Sequence, residues 1–173
     1  MRNKILTKEV LRKKLDLIKK KGRKVVHCHG TFDLLHLGHI KHLSNAKKYG
    51  DILIVTITDD KYINKGPGRP YFKSKQRAEA LSSLESVDYV VINHDFTSTK
   101  IIKFLRPNVY CKGPDYINQK NDVTNEIKNE IRAIKSVGGK VVFTKDDTYS
   151  SSSLINQFSD LYSKKTLETF KKI

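Results

Sequence analysis

The chain contains no apolar run approaching the roughly 18 residues that a membrane-spanning helix needs. Its first residues, Met1-Arg2-Asn3-Lys4, lead into a charged amphipathic pattern rather than a signal peptide. No membrane partner is expected, and the chain is read as cytoplasmic. Cysteine is scarce as well: Cys28 and Cys111 each sit inside an apolar, strand-like run. Two such residues suit buried reduced thiols and exclude a disulfide framework or a four-ligand zinc site. Acidic residues are outnumbered, 18 against 34 lysines and arginines, for a net charge of +16. That excess attracts polyanions without saying which. The lysines are spread through the first helix, a middle loop and the tail, without interleaved surface aromatics or a nucleic-acid module, so a nucleic-acid partner is not expected. A nucleotide with a phosphorylated substrate would exploit the same field, and a merely solvated lysine-rich surface would produce it too.

What remains is ordinary for a soluble globular protein: 173 residues, 38% hydrophobic and 30% charged, enough for one domain with a real core. No internal repeat is visible. Residues 7–20 read as a packing helix, with Thr7 as N-cap, Glu9 in the first turn and an imperfect apolar stripe of Val10, Leu11, Leu15, Leu17 and Ile18. The short β-branched run from Lys24 to Cys28 reads as a buried strand that Gly30 breaks. From about His36 the spacing becomes helical, and Leu37, Ile40, Leu43 and Ala46 are expected on its core face. Residues 51–58 are nearly all β-branched or aliphatic, as in a strand covered on both sides. Strand, helix, strand makes a right-handed crossover with parallel strands.

A cationic loop over 59–72 carries Lys65 and Arg69, beyond the end of the second strand where open α/β sheets bind ligands. Ser74 can cap a helix to about Leu84, with Arg77 in its first turns. A third strand at 87–92, a helix at 98–105, a short strand at 108–112, a polar helix at 118–137 and a fifth strand at 140–144 complete the alternation. Ser150 to Ser153 are good caps for a final helix, and the tail beyond is basic. Five strands alternating with helices imply a three-layer α/β domain around a parallel sheet.

The candidate chemistry lies in His29 to His42. His36 and His39 are three apart in a first helical turn and project from one side. Gly38 keeps the surface low between them, and free backbone N–H groups with the positive dipole end make a site for a phosphate chain. A metal cluster of His27, His29, His36, His39 and His42 is disfavoured, because no cysteine or carboxylate joins them at suitable spacing, and no metal ligand is assigned.

Thr31-Phe32-Asp33-Leu34-Leu35-His36-Leu37-Gly38-His39 resembles the HxGH signature of the cytidylyltransferase-like nucleotidyltransferase superfamily. Three further motifs match in order: the lysine-bearing loop followed by Arg77, Lys112-Gly113-Pro114-Asp115-Tyr116, and the serine cluster before the last helix. The resemblance covers about residues 24–158. It is greatest to the adenylyltransferase domain of bacterial heptose-1-phosphate activating enzymes, although Pro114 replaces their second glycine and serine replaces threonine in the final motif. It implies a Rossmann-like sheet of order 3-2-1-4-5 and transfer of a nucleoside monophosphate from a nucleoside triphosphate to a sugar or polyol phosphate, for activation of surface-polysaccharide precursors. ATP is favoured. The alternatives are a CTP-dependent enzyme for glycerol-3-phosphate or a similar polyol phosphate, and a non-catalytic nucleotide- or nucleic-acid-binding module.

The resemblance assigns His36 and His39 to catalysis. It assigns Gly30, Thr31, Phe32, Gly38, Lys65, Lys112, Gly113, Asp115, Ser150, Ser151 and Ser152 to the nucleotide, and Arg69 and Arg77 to the acceptor phosphate. Mg²⁺ is expected on the triphosphate with few protein ligands. Asp33 is expected to order its loop rather than bind metal. A homodimer is a family expectation.

Overall fold

The structure is a computed structural model in which residues 4–66, 68–116 and 126–145 are described, apart from the side chain of Asp115. Five strands, β1 (Val25–Gly30), β2 (Ile52–Thr58), β3 (Tyr89–Asn93), β4 (Val109–Lys112) and β5 (Lys140–Phe143), form one parallel sheet in the order β3-β2-β1-β4-β5. The helices are α1 (Lys8–Lys20), α2 (Leu37–Lys47), α3 (Ser74–Ser82), α4 (Thr99–Leu105) and α5 (Ile127–Ser136). This is the expected three-layer Rossmann-like α/β fold.

Burial follows from the strand sequences. All seven residues of β2 are buried, consistent with a strand covered on both faces. Val26, Cys28, Leu53, Val55, Ile57 and Cys111 pack with Leu43 and Ala46 of α2 and Ala78 and Leu81 of α3. On the opposite face Val25, Ile52, Ile54 and Val91 meet Leu11 and Leu15 of α1 and Ile101 and Leu105 of α4. Both cysteines are buried and free. Thr7 caps α1 by accepting from the Val10 N–H at 3.3 Å. Lys73, not Ser74, is the N-cap of α3, its N–H donating to Gln76 Oε1 at 3.0 Å.

Two expectations about helix faces are corrected. Leu37 and Ile40 are 55% and 40% exposed, whereas Gly38, Leu43 and Ala46 face inward. Val10 and Leu17 of α1 are likewise exposed. The serine cluster, the basic tail and the start of the expected helix at 118–126 lie outside the described residues, except for Glu126. Among the described residues no helix is long and apolar enough to cross a membrane.

The order reverses between β1 and β4, so the loops after those strands flank one crevice at the carboxyl edge of the sheet, where such folds place ligands.

Candidate active site

At the end of β1 the chain must turn out of the sheet within two residues. Phe32 does so in the left-handed region, at φ +49°, a costly conformation for a residue with a Cβ. Its ring lies back over Gly30, where an added Cβ would sit 3.0 Å from Phe32 Cε2. Gly30 is thus required by the packing of the loop. The buried Phe32 ring then meets the His39 ring edge-to-face, with centroids 5.1 Å apart.

His36 is the N-cap of α2 in extended conformation, but its side chain does not cap the helix, and no acidic residue occupies the first turn. The positive end of α2 is therefore neutralised by neither. There His36 and His39 stack, with centroids 3.8 Å apart and planes inclined 29°. Two imidazolium ions could not share that distance cheaply. Burial lowers the pKa of His36. Burial, aided by the charges of His36, His42 and Lys65, lowers that of His39 to about 4, the Leu34 backbone acting in the opposite sense. Both rings are neutral near pH 7, and each then carries a single N–H. His42 serves elsewhere: its Nδ1 bonds Thr144 Oγ1 at 2.9 Å, tying α2 to the end of β5.

Asp33 anchors the cationic loop. Its carboxylate accepts from Arg69 Nε at 2.6 Å and from the Phe72 N–H at 3.1 Å, with both charged side chains largely withdrawn from water. The loop thereby folds over the β1 turn, close enough that Lys65 carries charge to His39. Arg69 Nη2 stays buried without a hydrogen-bond partner, an unused donor beside the histidines' loop.

Arg77 does not join this group as an acceptor ligand, which corrects the sequence-based assignment. Its side chain is fully buried and its guanidinium is consumed internally. Nε donates to Phe72 O (2.9 Å), Nη1 to Thr31 O (2.5 Å), and Nη2 to Thr58 O (2.8 Å) and Asp60 Oδ1 (2.7 Å). It braces Thr31 from below.

Lys112 is also corrected. Only 7% of its side chain is exposed, and its ammonium faces the Glu130 carboxylate at 3.2 Å and the Tyr116 ring at 3.8 Å. The following Gly113 is what the loop offers a ligand: a Cβ there would meet nothing within 4 Å. The side chain of Asp115, and Ser150, Ser151 and Ser152, lie outside the described residues.

Beneath the turn, His27 Nε2 and His29 Nδ1 both bond Thr56 Oγ1, at 2.8 and 2.7 Å, and His29 Nε2 lies 3.3 Å from Thr58 Oγ1. Burial holds the pKa of His29 at about 3 and that of His27 well down, the Lys112 charge contributing to both. These are structural neutral histidines, and among the described residues no His, Cys, Asp or Glu cluster could hold a metal. Reading the sequence missed Glu130. Its one signal is an acid three residues after Ile127 on the stripe that buries Ile127 and Ile134.

Comparisons with known proteins agree with this geometry. The profile of the Cytidylyltransferase-like family matches residues 27–158. The bifunctional protein HldE of Aliarcobacter butzleri is 44% identical over 121 residues, covering 69% of this chain and 25% of that protein. HldE of Syntrophotalea carbinolica is 36% identical over 163 residues, covering 92% and 32%. The chain thus spans a quarter to a third of the length of these relatives. Among solved structures, the lipopolysaccharide core biosynthesis protein of Thermoplasma volcanium GSS1 superposes with a TM-score of 0.59 at 27% identity, covering 75% of this chain and all of that one. With its strand order, its histidine pair and a family match over most of its length, the chain belongs to the cytidylyltransferase-like family.

Proposed function

We propose that this chain is a nucleotidyltransferase that joins a nucleoside monophosphate, from ATP, to a sugar phosphate of the heptose 1-phosphate type. Pyrophosphate is the leaving product. The observation that carries the reading is the stacked His36–His39 pair beside the uncompensated N-terminus of α2. The relatives named HldE and the lipopolysaccharide core biosynthesis protein support a sugar-phosphate acceptor.

In the reaction, an acceptor phosphate oxygen attacks the α-phosphorus, the new P–O bond forms opposite the α–β bridging oxygen, and pyrophosphate departs with that oxygen. No covalent protein intermediate is required. Catalysis rests on holding two anions in line and stabilising charge on the five-coordinate phosphorus. Neutral His36 and His39 donate N–H bonds to phosphate oxygens, His39 more strongly as charge builds. The Thr31 side chain and Phe32 N–H hold the triphosphate, while Lys65 and the spare Nη2 of Arg69 offset its charge. Mg²⁺ enters as part of the nucleotide substrate; the carboxylate of Asp33, in the β1 turn, is already committed to Arg69 and Phe72.

The test is pyrophosphate release from ATP and CTP, each paired with heptose 1-phosphate and glycerol-3-phosphate. The expected result is release with ATP and heptose 1-phosphate. No release under any pairing would refute the enzyme reading, and release confined to CTP with glycerol-3-phosphate would replace its substrates.

A further inference from the structure

A buried carboxylate on α5 has no part in the phosphate chemistry above. Glu130 accepts from Ser98 Oγ at 2.6 Å through one oxygen and faces Lys112 Nζ at 3.2 Å with the other. Ser98, at the N-cap of α4, also shares a 2.9 Å bond with the hydroxyl of buried Tyr110 on β4. Elements α4, α5 and β4 therefore meet at one charge. A buried ion pair is a poor source of net stability, since apolar side chains of similar volume serve as well or better. This one stands where β4 gives way to the turn Pro114–Tyr116, and the Tyr116 ring lies 3.8 Å above the ammonium. Glu130 thus faces the Lys112 ammonium, which lies under the Tyr116 ring, and Gly113 follows Lys112 directly in the chain.

We infer that Glu130 is a positioning residue that, through Lys112, holds Gly113 and the turn Pro114–Tyr116 in place to receive the nucleoside triphosphate. The inference rests on the function proposed above and adds to it the residue that holds this loop.

The test uses the full chain with ATP and heptose 1-phosphate. In Glu130→Gln, KM for ATP is expected to rise about tenfold, with kcat and the acceptor KM within about twofold. Because this variant strands the Lys112 charge, a second, Lys112→Met with Glu130→Leu, removes both charges and keeps the interior neutral. It is expected to melt near the parent temperature and to keep the raised KM for ATP. Tyr116→Leu, which removes the ring over Lys112, is expected to raise that KM as well. A KM for ATP near the parent value in the melted-in double variant, or an acceptor KM that rises instead, would overturn the inference. Absence of pyrophosphate release from the parent chain would instead refute the reading on which it rests.

Discussion

Arg77→Met tests whether the buried arginine of α3 is a brace or a ligand. Methionine matches the length of the apolar stem but returns none of the four hydrogen bonds of 2.5–2.9 Å. Three carbonyls and one carboxylate lose their donor. Each orphaned buried group costs about 1–3 kcal/mol. Two of the four recover water, because Asp60 is 26% exposed and the Thr31 carbonyl lies in a partly open loop. A loss of about 3–5 kcal/mol remains, the range for breaking a buried charge pair. In a domain of this size that lowers Tm by roughly 10 °C, at 2–4 °C for each kcal/mol. The chain lacks tryptophan, so far-UV circular dichroism in a thermal or urea series is the suitable probe. Arg77→Lys, a point charge in place of a fork, should recover only part of the loss. The reasoning is refuted if Arg77→Met melts within about 2 °C of the parent while KM for the phosphorylated acceptor rises, for then the guanidinium binds substrate and the four bonds are incidental.

Four other outcomes follow from the geometry. His39→Ala should lower kcat about 10²- to 10³-fold, as for loss of one transition-state donor, with an unchanged circular dichroism spectrum; unaltered turnover would remove the ring from the mechanism. Stability should fall on acidification: the folded pKa values of His39, about 4, and His29, about 3, lie below the unfolded 6.5, so the unfolded chain binds the extra protons. The contribution is whole above about pH 6.5 and drains towards pH 4 and 3, by up to about 1.4 kcal/mol per pH unit for each ring. Urea midpoints between about pH 7 and 5 check it, and His29→Asn should flatten the slope. Gly139→Ala should cost about 1–3 kcal/mol, because its Cβ would lie 2.6 Å from Pro107 O and 2.5 Å from Ile134 Cδ1. Gly113→Ala should leave the melt unchanged and raise KM for the nucleotide, since among the described residues the added methyl meets nothing within 4 Å.

The alternation of strands and helices was legible because a parallel sheet covered on both faces writes its strands as unbroken apolar runs, as in β2. Strand order came from motif resemblance, and the observed order agrees with it. The inward face of α2 was misread for a geometric reason. Leu37, Ile40, Leu43 and Ala46 recur every three residues, about 60° short of a helical turn at each step, so the set drifts from solvent to core instead of marking one face. The true inward arc runs through Gly38, Leu43 and Ala46 and includes His39, which explains why that imidazole is desolvated although it belongs to the site.

Arg77 and Lys112 were misassigned for a different reason. A motif reports which loops meet at the crevice, but whether a cation there remains free depends on partners far along the chain, such as Thr31 O for Arg77 and Glu130 for Lys112. Arg69 shows that the two cases can coexist in one side chain: Nε is spent on Asp33, while Nη2 is buried and unspent. A cationic loop over a phosphate site needs both functions, because an arginine with every donor free would neither shape the loop nor wait in place for an anion.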